Sequence, residues 1–146
     1  MMMRRIYVAI VGLLLASGAL QFYFAAIGAF TRPRTDDSFA LHVLNGRIFA
    51  LLALVAILAA ALARAPGRLI GRTALTLGLT IVQTLIIVLG NVIGGSTEQR
   101  TTAVSLAILG LHAVNGMAIM GVAGGVLTEA RAHLKAAPVS KVELAR

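Results

Sequence analysis

The sequence predicts an all-α, membrane-spanning four-helix bundle built from two repeated helical hairpins. Three observations predict it: an apolar composition almost free of charge, four apolar stretches of spanning length, and a six-residue motif that occurs twice at matching places. Of 146 residues, 59% are hydrophobic and only 12% charged, too apolar for a water-soluble domain and suited to lipid as solvent. The formal net charge of +8 raises nucleic acid as a partner, but the basic residues lie between and beyond the apolar runs, not on one soluble face. They read as topology signals, with the lipid bilayer as partner and nucleic acid excluded. The chain has no cysteine, which excludes disulfides, thiolate metal sites, iron–sulfur clusters and covalently attached haem.

A hydrocarbon core of about 30 Å needs roughly 20 apolar residues in a helix. The expected spans are 6–30, 39–63, 69–93 and 103–127, each closed by charge, proline or glycine: Arg32-Pro33-Arg34, Arg64-Ala65-Pro66-Gly67-Arg68, Gly94-Gly95-Ser96 and Glu129-Ala130-Arg131. Residues 1–129 form the expected transmembrane domain and 130–146 a short basic cytoplasmic tail. Arg4-Arg5 ahead of an apolar run resemble a signal peptide, yet the run passes the small-residue site at Ser17-Gly18-Ala19 and continues to Phe30, so it is expected to be retained as a span. One side collects Arg4, Arg5, Arg64, Arg68, Arg72, Arg131, Lys135, Lys141 and Arg146, against Arg32, Arg34 and Arg100 on the other, where Asp36, Asp37 and Glu98 dilute the charge. This bias predicts a multi-pass protein of the bacterial cytoplasmic (inner) membrane with both termini cytoplasmic.

The repeat carries the functional signal. Leu41-His42-Val43-Leu44-Asn45-Gly46 opens the second span and Leu111-His112-Ala113-Val114-Asn115-Gly116 lies in the fourth; both read L-H-x-x-N-G. In the preceding spans Gln21 stands seven residues before Gly28 and Gln83 seven before Gly90. The hairpins are therefore copies related by a pseudo-two-fold axis along the membrane normal. His42 precedes Arg64 by 22 residues and His112 precedes Arg131 by 19, so at 1.5 Å per residue both imidazoles stand roughly 28–33 Å above the basic boundary. Gln21 and Gln83 come out together, somewhat deeper. Inward stripes follow from helical periodicity: Ser17, Gly18, Gln21, Ala25 and Gly28; His42, Asn45, Gly46, Phe49, Ala53, Ala56 and Ala60; Thr73, Thr76, Thr80, Gln83, Thr84 and Asn91; Ser105, His112, Asn115, Gly116, Ile119 and Ala123.

Two histidines at one depth on facing helices suit the axial ligation of a b-type haem, whose iron takes neutral nitrogens on opposite sides of the ring. The expected cofactor is haem b, the expected metal ligands His42 and His112, and the expected task electron transfer or haem holding. Gly46 and Gly116, one turn on, offer a wall without side chains to a flat macrocycle, and Asn45 and Asn115 orient groups beside it. Arg32, Arg34 and Arg100 are the expected propionate partners. No carboxylate lies within a span to act as a base, so bond-making catalysis is not expected. Arg47, within the apolar run, is expensive in lipid and is expected either to snorkel outward or to face a partner, contacting an anion or bonding Gln21, Asn91 or a backbone carbonyl. His133 is expected to be a solvated tail residue, and Gly121 and Gly125 to mark close helix packing. Three other outcomes stand beside haem: a packing motif whose His and Asn bridge helices, an accessory or assembly subunit of a larger membrane complex or redox chain, and a small quinone- or solute-binding protein using Arg47, Gln21 and Gln83.

The pattern Q-x6-G followed by L-H-x-x-N-G, used twice in four helices, resembles a small uncharacterised bacterial four-helix membrane family of unknown function. It is also similar to one four-helix half of haem A synthase, with histidines near the outer ends of the second and fourth helices and a Gln-bearing third helix. The likeness runs from about Leu20 to Gly116 and implies His42 and His112 as axial ligands. The synthase has an acidic residue close before the second-helix histidine; here Phe39-Ala40-Leu41 stand there, which argues against its oxidation chemistry.

Overall fold

A computed structural model describes residues 1–97 and 100–136. They form four helices, α1 (Met2–Phe30), α2 (Ala40–Leu62), α3 (Gly67–Ile93) and α4 (Ala103–Lys135), with a 3-10 turn over Asp36–Phe39 before α2 and no strand among the described residues. All four are long and apolar enough to cross a membrane. The ends match the expected spans within a few residues except at α4, which continues past Leu127 to Lys135. Glu129 to Lys135 contains good helix formers and neither proline nor glycine, so nothing stops the helix at the boundary. The start of the expected tail is therefore helical. Glu98, Lys141 and Arg146 lie outside the described residues.

Local chemistry makes the three reversals. After α1, Thr35 and Ser38 exchange side-chain and backbone hydrogen bonds in a capping box that starts the 3-10 turn. Between α2 and α3, the Ala65 amide donates to the Ala60 carbonyl and the Arg64 amide to that of Ala61, a Schellman closure. Its left-handed residue is Arg64, at φ 52°, where glycine is usual. Pro66, unable to donate, then caps α3. Gly95, at φ 64°, turns the chain after α3, and the Thr102 hydroxyl accepts from the Ser105 amide to start α4.

α1 packs chiefly on α2 and α3 on α4; the hairpins meet less extensively through α1–α4 and α2–α3, and the diagonal pairs meet through side chains without close backbone approach. The start of α1 and the end of α4 thus lie at one end, with the end of α2 and the start of α3, and the end of α1, the start of α2, the end of α3 and the start of α4 at the other. Near the termini the core gathers Tyr7, Val11, Ala56, Ala60, Leu69, Val126 and Ala130, with the Tyr7 hydroxyl 2.7 Å from Thr73 Oγ1. Leu14, Phe49, Ala53 and Ile119 continue it to mid-height. In lipid, apolar burial contributes little to helix association, so the many alanines act by letting backbones approach closely. Toward the loops no large apolar side chain is buried; Ser17, Asn45, Ser105 and glycines are. Gly121 and Gly125 depart from expectation: a Cβ built at either meets nothing within 4 Å, so they are not packing contacts. Leucine and valine side chains facing outward are what a lipid solvent requires.

Candidate functional site

On the loop side of mid-height each hairpin is held by the same polar clasp. In the first, Asn45 Nδ2 donates to the Ser17 carbonyl (2.9 Å) and to Gln21 Oε1 (2.6 Å), and Gln21 Nε2 donates to the His42 carbonyl (2.9 Å). In the second, Asn115 Nδ2 donates to the Leu79 carbonyl (2.9 Å) and to Gln83 Oε1 (2.5 Å), and Gln83 Nε2 donates to the His112 carbonyl (2.8 Å). Positions 17, 21, 42 and 45 map onto 79, 83, 112 and 115, so the repeat seen in the motif is a repeat of bonded geometry. The copies differ at one place: Ser17 Oγ donates to Asn45 Oδ1 (3.0 Å), where the second hairpin has Leu79.

These clasps explain the motif residues in turn. A Cβ on Gly46 would stand 3.1 Å from Gln21 Nε2, and one on Gly116 3.6 Å from both Gln83 Nε2 and the Phe22 ring. The glycines leave room for a glutamine amide to cross the neighbouring backbone. The wall expected to face a macrocycle is therefore covered by Gln21 at Gly46 and by Gln83 and Phe22 at Gly116. Gln21 and Gln83 do not pair with each other; each is used inside its own hairpin.

The histidines meet across the diagonal. The His42 and His112 rings are 6.2 Å apart, centroid to centroid, with planes inclined by 54°. His42 Nδ1 is 3.0 Å from the Gln21 carbonyl and His112 Nδ1 3.4 Å from that of Gln83. A carbonyl only accepts, so Nδ1 carries the proton in both neutral rings and Nε2 keeps its lone pair. This is the tautomer and backbone anchorage found in imidazoles that ligate metals. His42 Nε2 is 3.4 Å from Gln21 Nε2; His112 Nε2 has no hydrogen-bond partner among the described residues. Both rings are half-buried.

Phe39 is a member of this group that sequence reasoning missed. Its ring stands edge-on to His42 at 6.3 Å, and the Arg34 guanidinium lies 5.8 Å above its centre. Gly28 makes the place for it, since a Cβ there would fall 2.5 Å from Phe39 Cδ1. The seven-residue spacing of Gln21 and Gly28 was the available clue, one position for the clasp and one for the aromatic ring. Arg32 and Arg34 meanwhile donate to the Ala29 carbonyl.

Other candidates lie elsewhere. Arg47 is exposed on α2 and bonds neither Gln21, Asn91 nor a backbone carbonyl among the described residues, because its position turns away from the inward stripe. Thr84 and Asn91 are exposed as well. Arg47, Gln21 and Gln83 do not converge on one ligand. His133 is bonded, not free: its Nε2 donates to the Ala63 carbonyl at 3.2 Å, because α4 extends beside the end of α2.

Part of the chain is similar to a family known by sequence. Residues 21–91 match a family of unknown function, DUF6220. The DUF6220 match begins at Gln21 and takes in His42, Asn45, Gly46 and Gln83, with His112 and Asn115 beyond its end. No curated protein and no solved structure matches the chain, so the likeness to haem A synthase rests on residue pattern alone.

Proposed function

We propose that the two hairpins hold one b-type haem, with His42 and His112 as its axial ligands, in a membrane whose cytoplasmic side faces the termini. The observation that carries this is the spacing of the imidazoles. Two nitrogens bound to one metal at about 2.0–2.1 Å each stand about 4 Å apart, and half a ring at either end brings the centroids to about 6 Å, against the 6.2 Å found here. The donor set also fits: two neutral rings, each tied through Nδ1, on diagonally placed helices whose backbones do not approach closely. The space beside the rings fits less simply. Phe22, on Gly116, is about half exposed at 46%, and its outward swing is the movement that admits a macrocycle.

In this proposal the haem supplies one-electron chemistry, and two imidazoles leave its iron no open position. The protein's residues do the holding. The carbonyls of Gln21 and Gln83 fix the tautomer; Asn45 and Asn115 fix the glutamines. Arg32, Arg34 and Arg100 lie at the loop end, where propionates would emerge. The charge distribution supports the orientation, with Arg4, Arg5, Arg64, Arg68, Arg72, Arg131 and Lys135 at the termini end.

The test is the reduced-minus-oxidised spectrum of detergent-purified protein expressed with haem supplementation, together with metal analysis. A b-type spectrum lost in His42→Ala and in His112→Ala, with both variants still monodisperse, is the expected result. A colourless wild-type protein, or one carrying metal without porphyrin, overturns it. One observation favours a second reading, in which the motif serves packing alone: Gln21 and Asn45 form the clasp through the His42 backbone carbonyl, without the imidazole. Packing alone predicts a colourless protein whose unfolding is perturbed by Asn45→Ala and unaltered by His112→Ala. Accessory roles in a larger complex predict instead a stable partner after mild solubilisation.

A further inference from the structure

The termini end carries two crevices that the haem proposal does not use. One, about 340 Å³, lies between the start of α3 and the end of α4 and is lined by Pro66, Arg68, Leu69, Glu129, Ala132 and His133, with Ala136 at its edge. The other, about 420 Å³, lies between the start of α1 and the end of α2, among Met1–Arg4 and Leu62–Arg64. They are counterparts under the repeat: each sits at the base of one hairpin, and Leu62 and Ala63 map onto Ala132 and His133. Each joins an apolar floor to an arginine at its mouth.

Charge at this level is one-sided. Among the described residues Arg4, Arg5, Arg64, Arg68, Arg72, Arg131 and Lys135 face one acid, Glu129. Arg72 is taken up by Glu129, and Arg4 by the carbonyls of His133 (2.8 Å) and Ala136 (2.6 Å). Arg68 is only loosely held, 3.6 Å from the same carboxylate, with 80% of its side chain exposed. At the first crevice, Arg68 and Arg72 against Glu129 leave one net positive charge. A soluble anion would need the cations alone. A group that also fills an apolar cleft opening on the hydrocarbon of a spanning helix is a phospholipid.

We infer that these two crevices bind the phosphate of anionic phospholipids, with Arg68 at the second hairpin and Arg64 at the first as the contacting cations and acyl chains against the helices. Basic recesses between transmembrane helices are suited to such headgroups, each nearby cation contributing enough to change affinity by about fivefold. The experiment is native mass spectrometry and thermal unfolding of the full chain in phosphatidylcholine nanodiscs with and without phosphatidylglycerol. Phosphatidylglycerol is expected to be retained and to raise the melting temperature. Arg68→Gln and Arg64→Gln should each weaken retention about fivefold, while Arg47→Gln, exposed near the other end of α2, leaves it unchanged. Equal retention of the two lipids, equal loss in Arg47→Gln, or the same stabilisation by inorganic phosphate in detergent overturns the inference. Because none of these readouts involves colour or iron, failure here and failure of the haem proposal are separately visible.

Discussion

Replacing Asn45 by alanine should destabilise the bundle more than the same change at Asn115, although the motif makes the two residues equivalent. Asn45 takes part in three hydrogen bonds between α1 and α2: to the Ser17 carbonyl, to Gln21 Oε1, and from the Ser17 hydroxyl. Asn115 takes part in two between α3 and α4, to the Leu79 carbonyl and to Gln83 Oε1. Interhelical hydrogen bonds in membranes average about 0.6 kcal/mol. The losses are therefore about 1.8 kcal/mol for Asn45→Ala and about 1.2 kcal/mol for Asn115→Ala. The same atoms are removed in both, which largely cancels the packing loss, and the difference of about 0.6 kcal/mol belongs to Ser17. Steric-trapping measurements of unfolding in bicelles resolve a difference of that size. A double-mutant cycle isolates it: Ser17→Ala in the Asn45→Ala background should cost less than in the wild type by about 0.6 kcal/mol. Equal losses at the two asparagines, or no coupling between Ser17 and Asn45, would refute the view that these side chains hold the hairpins.

Three further outcomes follow from local geometry. Gly28→Ala places a Cβ 2.8 Å from the Ser38 carbonyl as well as against Phe39, and backbone does not yield, so a cost of about 1–3 kcal/mol is expected. The repeat-related Gly90→Ala meets only the Ile108 side chain at 3.2 Å and should be far milder by the same unfolding assay. Arg64→Gly relieves a left-handed residue at the Schellman closure and should raise the free energy of unfolding by about 1 kcal/mol in phosphatidylcholine, where no anionic lipid engages the arginine. Arg72→Gln should cost no more than about 1 kcal/mol at low salt, because the Arg72–Glu129 pair is substantially exposed, and the effect should vanish near 1 M salt.

The bundle was legible because lipid restricts composition so severely. Four long apolar runs admit few alternatives to helices, and a polar side chain within them stands out against its neighbours. His42, Asn45, Gln21 and their partners were visible for that reason, and the equal depth computed for the histidines agrees with rings 6.2 Å apart. What each polar group bonds was not legible. The common depth of the glutamines did not say what they bond; the structure uses each within its own hairpin, because the helix that follows it in sequence lies closest. Phe39 escaped notice since an aromatic residue at the start of an apolar run carries no contrast, and its seat depends on Gly28, eleven positions earlier. The end of α4 escaped because a hydropathy boundary marks where lipid stops, whereas a helix continues while its residues favour it.

Duplication also decides where the bundle yields. Within each hairpin the helices share a clasp of polar bonds, whereas among the described residues the hydrogen bonds from one hairpin to the other lie near the termini: Tyr7 with Thr73, Arg4 with His133 and Ala136, His133 with Ala63. At the level of the histidines the hairpins meet through apolar contact and the two facing rings alone. A separation between hairpins there breaks no hydrogen bond, while a separation within one breaks several. Anything admitted to the bundle at that height therefore enters between hairpins, past Phe22 on Gly116, to a level where neither Nε2 is bonded to a backbone carbonyl.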